Sequence, residues 1–338
     1  MSDKPTVVIT GGLGFIGAQV SKTFAGAGYD VIVIDSNTSR KWTLPEGATL
    51  FPHDFQATTT AGILEMFKPK AVIHLAASHV VPDSIIDPGK YYKNNVSGTQ
   101  ALLDMCVKAG VKNFIFSGSS SVYGERDSRE PFAETLTPTP MSPYAMSKHM
   151  TELMLEDYNK AYGLNYISTR YFNAAGADPE GKNGYTQEPA THVMPIIIDK
   201  ITNDEVFNIC GDDYDTKDGT CIRDYCHIQD IANAKLKAVE HLSNDGESGI
   251  VNLGSGTGFS IHDLIISAQN VVGKSLKYEV GPRRAGDPSY LCGDISKAKT
   301  LLDWEPTYSL DDMFAHSKFW VDNKNKVIKN KWLENVSQ

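Results

Sequence analysis

Tyr144 and Lys148 stand four apart in Ser142-Pro-Tyr-Ala-Met-Ser-Lys-His149, a spacing that puts both side chains on one face of a helix, a turn apart. There an ammonium can stabilise a phenolate, and a phenol of ordinary pKa near 10 needs that help to act as a base at neutral pH. Taken alone, the pair reads more readily as a solvated lysine on an amphipathic helix. Ahead of it, Ser117-Gly-Ser-Ser-Ser-Val-Tyr-Gly124 follows an aliphatic run, at the edge where parallel sheets hold their ligands. A hydroxyl there, Ser119 for instance, could hold a substrate oxygen while Tyr144 exchanges its proton. The plainer alternative is a turn of local side-chain-to-backbone bonds. A serine-hydrolase elbow of the Gly-x-Ser-x-Gly type is broken at its last position, Val122.

Chemistry at such a pair needs an electron acceptor, and the N-terminal end offers a place for one. Gly11-Gly-Leu-Gly-Phe-Ile-Gly17 follows the first aliphatic run and opens a helical pattern. Glycines at 11, 14 and 17 leave room for a tight turn and for a pyrophosphate against the helix N-terminus. Asp35 closes the next strand about 20 residues on, where a carboxylate can accept from the adenosine ribose hydroxyls. It would repel a 2′-phosphate, which favours NAD over NADP, although Arg40 keeps the second option open. Asp54 and Phe55, the strand end Leu75, Ala76 and Ala77, and Asn95 are further candidate contacts. Each also reads as a capping aspartate, a core strand end or a satisfied polar residue. A redox cofactor and a proton-transfer base in one chain point to hydride chemistry at a carbinol carbon.

The elements that must position these residues are legible as alternation. Thr6–Thr10, Val31–Ile34, Ala71–Leu75, Phe114–Phe116 and Tyr166–Arg170 are short aliphatic runs that read as buried parallel strands. Phe15–Ala27, Thr60–Phe67, Tyr91–Ala109 and Tyr144–Tyr162 read as the helices between them. The expected fold class is α/β: a Rossmann-type, doubly wound parallel sheet with a smaller α/β substrate-binding domain at the C-terminal end. Past about Asn173 the rhythm changes, and Gly, Pro and Asp gather between Gly176 and Pro189. The expected division is a cofactor domain over 1–175, with parts of 225–260 packing back on it, and a mainly substrate-binding domain over 176–338. Asp230–Leu242 is the helix expected to pack back.

The 338 residues suffice for that division, and 41% hydrophobic with 22% charged residues is ordinary for a globular chain. A net charge of −9 argues against a general nucleic-acid or anionic-membrane binder. An anionic substrate must therefore be held by a local cluster of positive groups. No apolar run approaches the roughly 20 residues of a membrane span, and the start of the chain carries no signal-peptide apolar region. Five cysteines lack metal-ligand spacing, so reduced thiols, no metal and a cytoplasmic location are expected.

Taken in order, the glycine turn, the Ser-rich strand end and the Tyr-x-x-x-Lys pair resemble the extended short-chain dehydrogenase/reductase superfamily over nearly the whole chain. Three further strings narrow the resemblance: Arg170-Tyr-Phe-Asn-Ala-Ala-Gly176, Gly211 through Asp230 (with Gly219-Thr-Cys-Ile-Arg-Asp-Tyr-Cys-His227 inside it) and Gly281-Pro-Arg-Arg-Ala-Gly-Asp287. They are similar to the UDP-glucose (UDP-galactose) 4-epimerase family. Read physically, Arg223 and Arg284 could clamp a diphosphate with bidentate guanidinium geometry. Asn173 could donate to the same group, and Asp287 could accept from a ribose or uracil donor.

The resemblance implies interconversion of UDP-galactose and UDP-glucose through a 4-keto sugar, with tightly bound NAD and no net redox change. Tyr144 would take the 4-hydroxyl proton, Ser119 would hold the 4-oxygen, and Lys148 would bind the nicotinamide ribose and lower the tyrosine pKa. It also implies cofactor contacts from Phe15, Ile16, Asn37, Ser117 and Tyr171, substrate contacts from His192, Tyr225 and Leu291, and a homodimer built on helices of the first domain. This chain departs from the family at His79, where many relatives carry a lysine near the nicotinamide. A histidine there implies weaker or pH-dependent cofactor retention. Leu291 falls at the position that gates sugar size, between the tyrosine of Glc/Gal-restricted members and the cysteine or serine of those taking N-acetylated sugars. Epimerisation of UDP-N-acetyl sugars or UDP-pentoses is therefore the alternative. A nucleotide-sugar dehydratase would need an Asp-Glu pair where this chain has Ser120 and Ser121. A non-catalytic binding protein would not need Tyr144 and Lys148.

Overall fold

The computed structural model describes residues 4–126, 129–284 and 288–336. Six strands in chain order, β1 (Thr6–Thr10), β2 (Asp30–Ile34), β3 (Thr49–Phe51), β4 (Ala71–His74), β5 (Asn113–Ser117) and β6 (Asn165–Tyr171), form most of a seven-stranded sheet. The seventh strand, Gly249–Leu253, arrives late and pairs along β6. Spatial order is Gly249–Leu253, β6, β5, β4, β1, β2, β3, and every neighbouring pair is parallel.

Such a sheet is covered on both faces, which is why its strands are runs of Val and Ile instead of alternating patterns. Successive residues still divide between two cores. Val7, Ile9, Val33, Ile73, Ile115 and Ile167 face one side, against Val20 and Phe24 of helix Phe15–Gly26 and Ile231 and Val239 of helix Ile228–Ser243. Val8, Ile32, Val72, Phe114 and Phe116 face the other, against Leu64, Leu102 and Leu155.

Strand order reverses between β1 and β4. Connections leave these two strands in opposite directions, and the crevice between their carboxyl ends is where this architecture binds ligands. The glycine turn after β1 and the segment after β4 form its walls, with the Ser-rich turn beyond β5.

One element differs from the sequence reading. The helix expected over Tyr91–Ala109 is not uniform: an α turn at Pro88–Tyr91 passes through a π-helical stretch, Tyr92–Ser97, into an α-helix over Gly98–Lys108. The widened turn carries Asn95 inward, where its side chain bonds Ser78 and Ser147. A π-turn leaves no mark on hydrophobic periodicity, and such turns gather at functional sites.

Much of the chain after β6 builds a second core. Helices Val193–Thr202, Ile261–Val272 and Leu310–Val336 surround Ile197, Ile201, Phe207, Leu264, Met313 and Phe314. Short strands bridge the two cores: Tyr225–His227 pairs with Asn173–Ala175, and Tyr290–Leu291 and Phe259–Ser260 flank Ile222–Arg223.

Candidate active site

The glycine turn fits a diphosphate sterically. Gly11 has φ +71°, and a Cβ there would lie 2.6 Å from the Ala76 amide nitrogen. A Cβ on Gly17 would lie 2.0 Å from the Gly11 carbonyl oxygen. Helix Phe15–Gly26 begins at Gly14 with no side-chain cap, so its first-turn amides are left for an anion. Asp35 accepts from the Leu13 amide at 3.0 Å and the Asn37 amide at 2.9 Å. Each carboxylate oxygen takes one of these bonds and keeps capacity for a ribose hydroxyl. These features suit a dinucleotide carrying a free 2′-hydroxyl. Arg40, the residue that kept the phosphorylated cofactor open, turns away: it donates to Leu13, Asn183 and Gly184 carbonyl or amide oxygens and to Thr186. Burial lowers its pKa to about 10, with Asp35 opposing.

The other cofactor candidates divide by geometry. Leu75 and Ala76 donate their amides to the Thr10 carbonyl oxygen, and with half-buried Ala77 they form the crevice wall. Asp54 accepts from the Gln56 amide at 2.9 Å, as a capping aspartate does. Phe55 is buried with its edge on His74. Asn95 spends its amide on Ser78 and Ser147 and shapes the wall from behind. Ile16 packs on the core. Phe15 turns its ring to Tyr185 and His192, edge-on at centroid distances of 5.8 and 6.3 Å, on the other side of the glycine turn.

The proton-transfer residues converge. Helix Pro143–Tyr162 is capped by Ser142 accepting from the Ala145 amide, and it carries Tyr144 and Lys148 toward the end of β5. Lys148 is buried and donates to the Ser117 carbonyl oxygen at 2.8 Å. Its ammonium lies 4.7 Å from the Phe116 ring centre and 5.9 Å from that of Tyr144. Burial pushes its pKa down to about 8, and the Glu152 charge pulls upward. Burial raises the pKa of Tyr144, while a hydrogen bond with Ser119 lowers it. Ser119 also shares a 2.8 Å bond with Ser121. Tyr171 is desolvated, which raises its pKa; it neighbours Tyr144 and bonds Ser117. An alcohol placed against Ser119 and Tyr144 would meet both a hydrogen-bond donor and a proton acceptor.

Across the crevice lies a cavity of about 540 Å³, lined by Asn173, His192, Arg223, Tyr225 and Arg284 together with Phe15 and Tyr185. Five of the predicted substrate residues thus line one cavity. Asn173 donates its amide to the Asp224 carbonyl oxygen at 2.8 Å. Burial holds the pKa of His192 low, the nearby His79 adds to that, and its ring stacks obliquely on Tyr185 at 4.6 Å. Arg284 is exposed at the cavity edge, whereas its neighbour Arg283 pairs with Asp213 and covers the Tyr214 ring. Leu291 is wedged beside Val122, Tyr123, Phe132 and Phe172, and Asp287 lies outside the described residues. His79 is exposed at the rim of the crevice, where partial desolvation of its ring lowers its pKa.

Two parts of the site escaped sequence reasoning. Tyr185 sits in the Gly- and Pro-rich stretch, where no periodicity marks it. Lys235 lies beneath the Ser-rich turn, fully buried, donating to the Ser117 hydroxyl at 3.0 Å and the Thr169 hydroxyl at 2.9 Å. The signal was present: Lys235 interrupts the four-residue steps of an apolar stripe between Ile231 and Val239. Among the described residues no group of three or more His, Cys, Asp or Glu could hold a metal ion, and no helix is long and apolar enough to cross a membrane.

Comparison with known proteins places the chain in a family. Residues 7–254 match the model of the NAD dependent epimerase/dehydratase family. The chain is 39% identical over 317 residues to the UDP-glucose 4-epimerase of Halalkalibacterium halodurans, covering 93% of this chain and 95% of that protein. With the Rhizobium meliloti UDP-glucose 4-epimerase it shares 37% over 326 residues, 95% of this chain and 98% of that one. The crystal structure of UDP-glucose 4-epimerase from Brucella ovis in complex with NAD superposes with a TM-score of 0.87 at 40% identity, covering 94% of this chain and 98% of that one. The Stenotrophomonas maltophila UDP-glucose-4-epimerase, with bound NAD and formylated UDP-arabinopyranose, gives 0.91 at 30% identity, covering 95% and 99%.

Proposed function

The chain belongs to the NAD-dependent epimerase/dehydratase family, and from that membership and the site geometry we infer that it is a UDP-glucose 4-epimerase. It interconverts UDP-galactose and UDP-glucose through a 4-keto sugar. The observation that carries this reading is the convergence of Tyr144, Ser119 and Lys148 at the end of β5.

Gly11, Gly14 and Gly17 would hold the diphosphate of NAD, and Asp35 its adenosine ribose. When bound there, NAD supplies an acceptor for the C4 hydride and afterwards its donor. Tyr144, as phenolate, takes the proton of the 4-hydroxyl and later returns it to the 4-oxygen. Ser119 hydrogen-bonds that oxygen in both states. Lys148 places a positive charge beside the Tyr144 ring and holds the nicotinamide ribose. Arg223 and Arg284, with Asn173, His192 and Tyr225, would grip the UDP part, leaving the sugar free to present its other face. We also propose a homodimer: Ile85, Ile86, Tyr92, Met150 and Leu153 leave large apolar side chains exposed on neighbouring helices of the sheet's outer layer. A cytoplasmic location fits Cys106, Cys210, Cys226 and Cys292, which are free thiols.

The reading is tested by incubating purified protein with UDP-galactose, UDP-N-acetylgalactosamine or UDP-xylose, first without added NAD. UDP-glucose is the expected product of the first, and the other two set the sugar range. If UDP-galactose stays unchanged even with NAD supplied, the assignment fails. Asp35→Ala removes charged acceptors that contribute about 1.5–3 kcal/mol. NAD retention should weaken roughly ten- to a hundredfold, read as cofactor content after gel filtration, with turnover recovered by excess NAD. Full occupancy in this variant would show that Asp35 is not a ribose ligand.

A further inference from the structure

Lys235 is a cation that the reaction scheme above leaves unused, and its setting is costly. Its side chain has no exposure, and burying an ammonium is unfavourable unless a counter-charge compensates it. Among the described residues no carboxylate forms an ion pair with it; its bonds go to the hydroxyls of Ser117 and Thr169. The position belongs to an apolar stripe, where a leucine or methionine would pack without that cost.

What the ammonium does face is the proton-transfer centre. Ser117 takes Lys235 on its hydroxyl and Lys148 on its carbonyl oxygen, at 3.0 and 2.8 Å. The same residue bonds Tyr171, which neighbours Tyr144, and the Lys235 ammonium lies 5.8 Å from the Tyr171 ring centre. We propose that Lys235 is a positioning residue for the proposed epimerisation: acting through Ser117 and Tyr171, its charge joins that of Lys148 in favouring the Tyr144 phenolate.

The other titratable groups packed around this point do not offer that charge a partner. Helix Pro143–Tyr162 contributes Lys148, Tyr144 and Glu152, of which Glu152 is engaged by Arg170 of β6. β6 also contributes Tyr171, and β4 contributes His74, whose pKa burial and the two lysines lower to about 3, leaving it neutral. Burial, and then repulsion from Lys148, lowers the pKa of Lys235 to about 7. A phenolate forming nearby works in the opposite direction, so ionisation of Tyr144 and retention of the Lys235 proton support one another. Removing the ammonium must raise the pH at which Tyr144 ionises.

The proposal rests on Tyr144 being the base, so the test reads Tyr144 directly as well as through turnover. Phenolate formation is followed by ultraviolet difference absorbance on the NAD-loaded protein, with Tyr144→Phe subtracted, in wild type, Lys235→Met and Ser117→Ala. The Ser117→Ala variant keeps the carbonyl that aims Lys148 and removes the hydroxyl through which Lys235 acts. Lys235→Met should move the Tyr144 midpoint up by about one pH unit, and Ser117→Ala should move it the same way by less. The acid limb of kcat should follow, giving about a tenfold loss at neutral pH that disappears in alkali. An unmoved midpoint in either folded variant, or a loss equal at every pH, overturns the proposal and leaves Lys235 a packing residue. A shifted midpoint in a protein that turns over no UDP-galactose would support the proposal while rejecting the substrate assignment.

Discussion

Tyr144→Phe should lower kcat for UDP-galactose by about a thousandfold, within the roughly 10²–10⁴ range for a positioned acid–base group, while the purified protein keeps its NAD. The ring is half-buried, edge-on to Tyr91 at a centroid distance of 6.4 Å, and phenylalanine preserves that contact. What disappears is the atom that accepts the 4-hydroxyl proton. Burial disfavours the phenolate and the Ser119 hydrogen bond favours it, so wild-type activity should fall on the acid side as Tyr144 holds its proton. Lys148→Met should behave differently, because Lys148 is argued to serve both partners. It should lower NAD content as well as kcat. Quantifying released cofactor alongside initial rates separates the two variants. A Tyr144→Phe protein with activity within tenfold of wild type would remove Tyr144 from the chemistry.

How much of the fold and the site is legible in the sequence depends on which forces leave a local trace. β1, β4 and β5 are visible because a doubly covered strand must be apolar throughout, and Gly11–Gly17 is visible because close backbone approach excludes side chains. Tyr144 and Lys148 announce themselves through helical spacing. The seventh strand, Gly249–Leu253, carries no such mark. Its partner β6 lies far back in sequence, and such a pairing is fixed by tertiary contact. The same reasoning explains Asn95, whose type suggests a ligand contact while its bonds serve Ser78 and Ser147. It explains Arg40 too: a basic residue near Asp35 suggests a phosphate, and only the fold brings Asn183 to Thr186 within its reach. Long-range polar partners carry no periodicity, so sequence supplies the residue and the fold decides its use.

Glu152 is the residue on which chemistry and stability meet, and Glu152→Ala should lower the free energy of unfolding by about 3–5 kcal/mol, the usual cost of stranding one partner of a buried ion pair. Tyr144, Lys148 and Glu152 follow at four-residue steps along one helix face. Glu152 takes Arg170 on both oxygens, at 3.0 and 2.6 Å, and Ser168 at 2.8 Å, with each charged side chain only 2% exposed. Arg170 in turn lies over the Tyr123 ring at 4.8 Å, and Tyr123 donates to Asn252 at 2.7 Å, so the pair ties the helix through β6 to the edge strand. Burial alone would raise the Glu152 pKa, but the nearby His149 ring, hydrogen bonds from Arg170 and Ser168 and the Arg170 charge hold it below the ordinary value. A depressed carboxylate stabilises the fold above its unfolded pKa, and that contribution is lost as pH falls through the folded value. Destabilisation by Glu152→Ala should therefore be full at neutral pH and shrink in acid. Replacing both partners, Glu152→Ala with Arg170→Met, should cost less than Glu152→Ala alone, because no buried charge remains. If denaturant titration finds that the double variant loses, relative to wild type, the sum of the two single losses, the pair is not the source. Kinetics supply an independent reading through Lys148. With the Glu152 charge gone, its pKa falls further below about 8, so residual activity in Glu152→Ala should decline at lower pH on the alkaline side than in wild type.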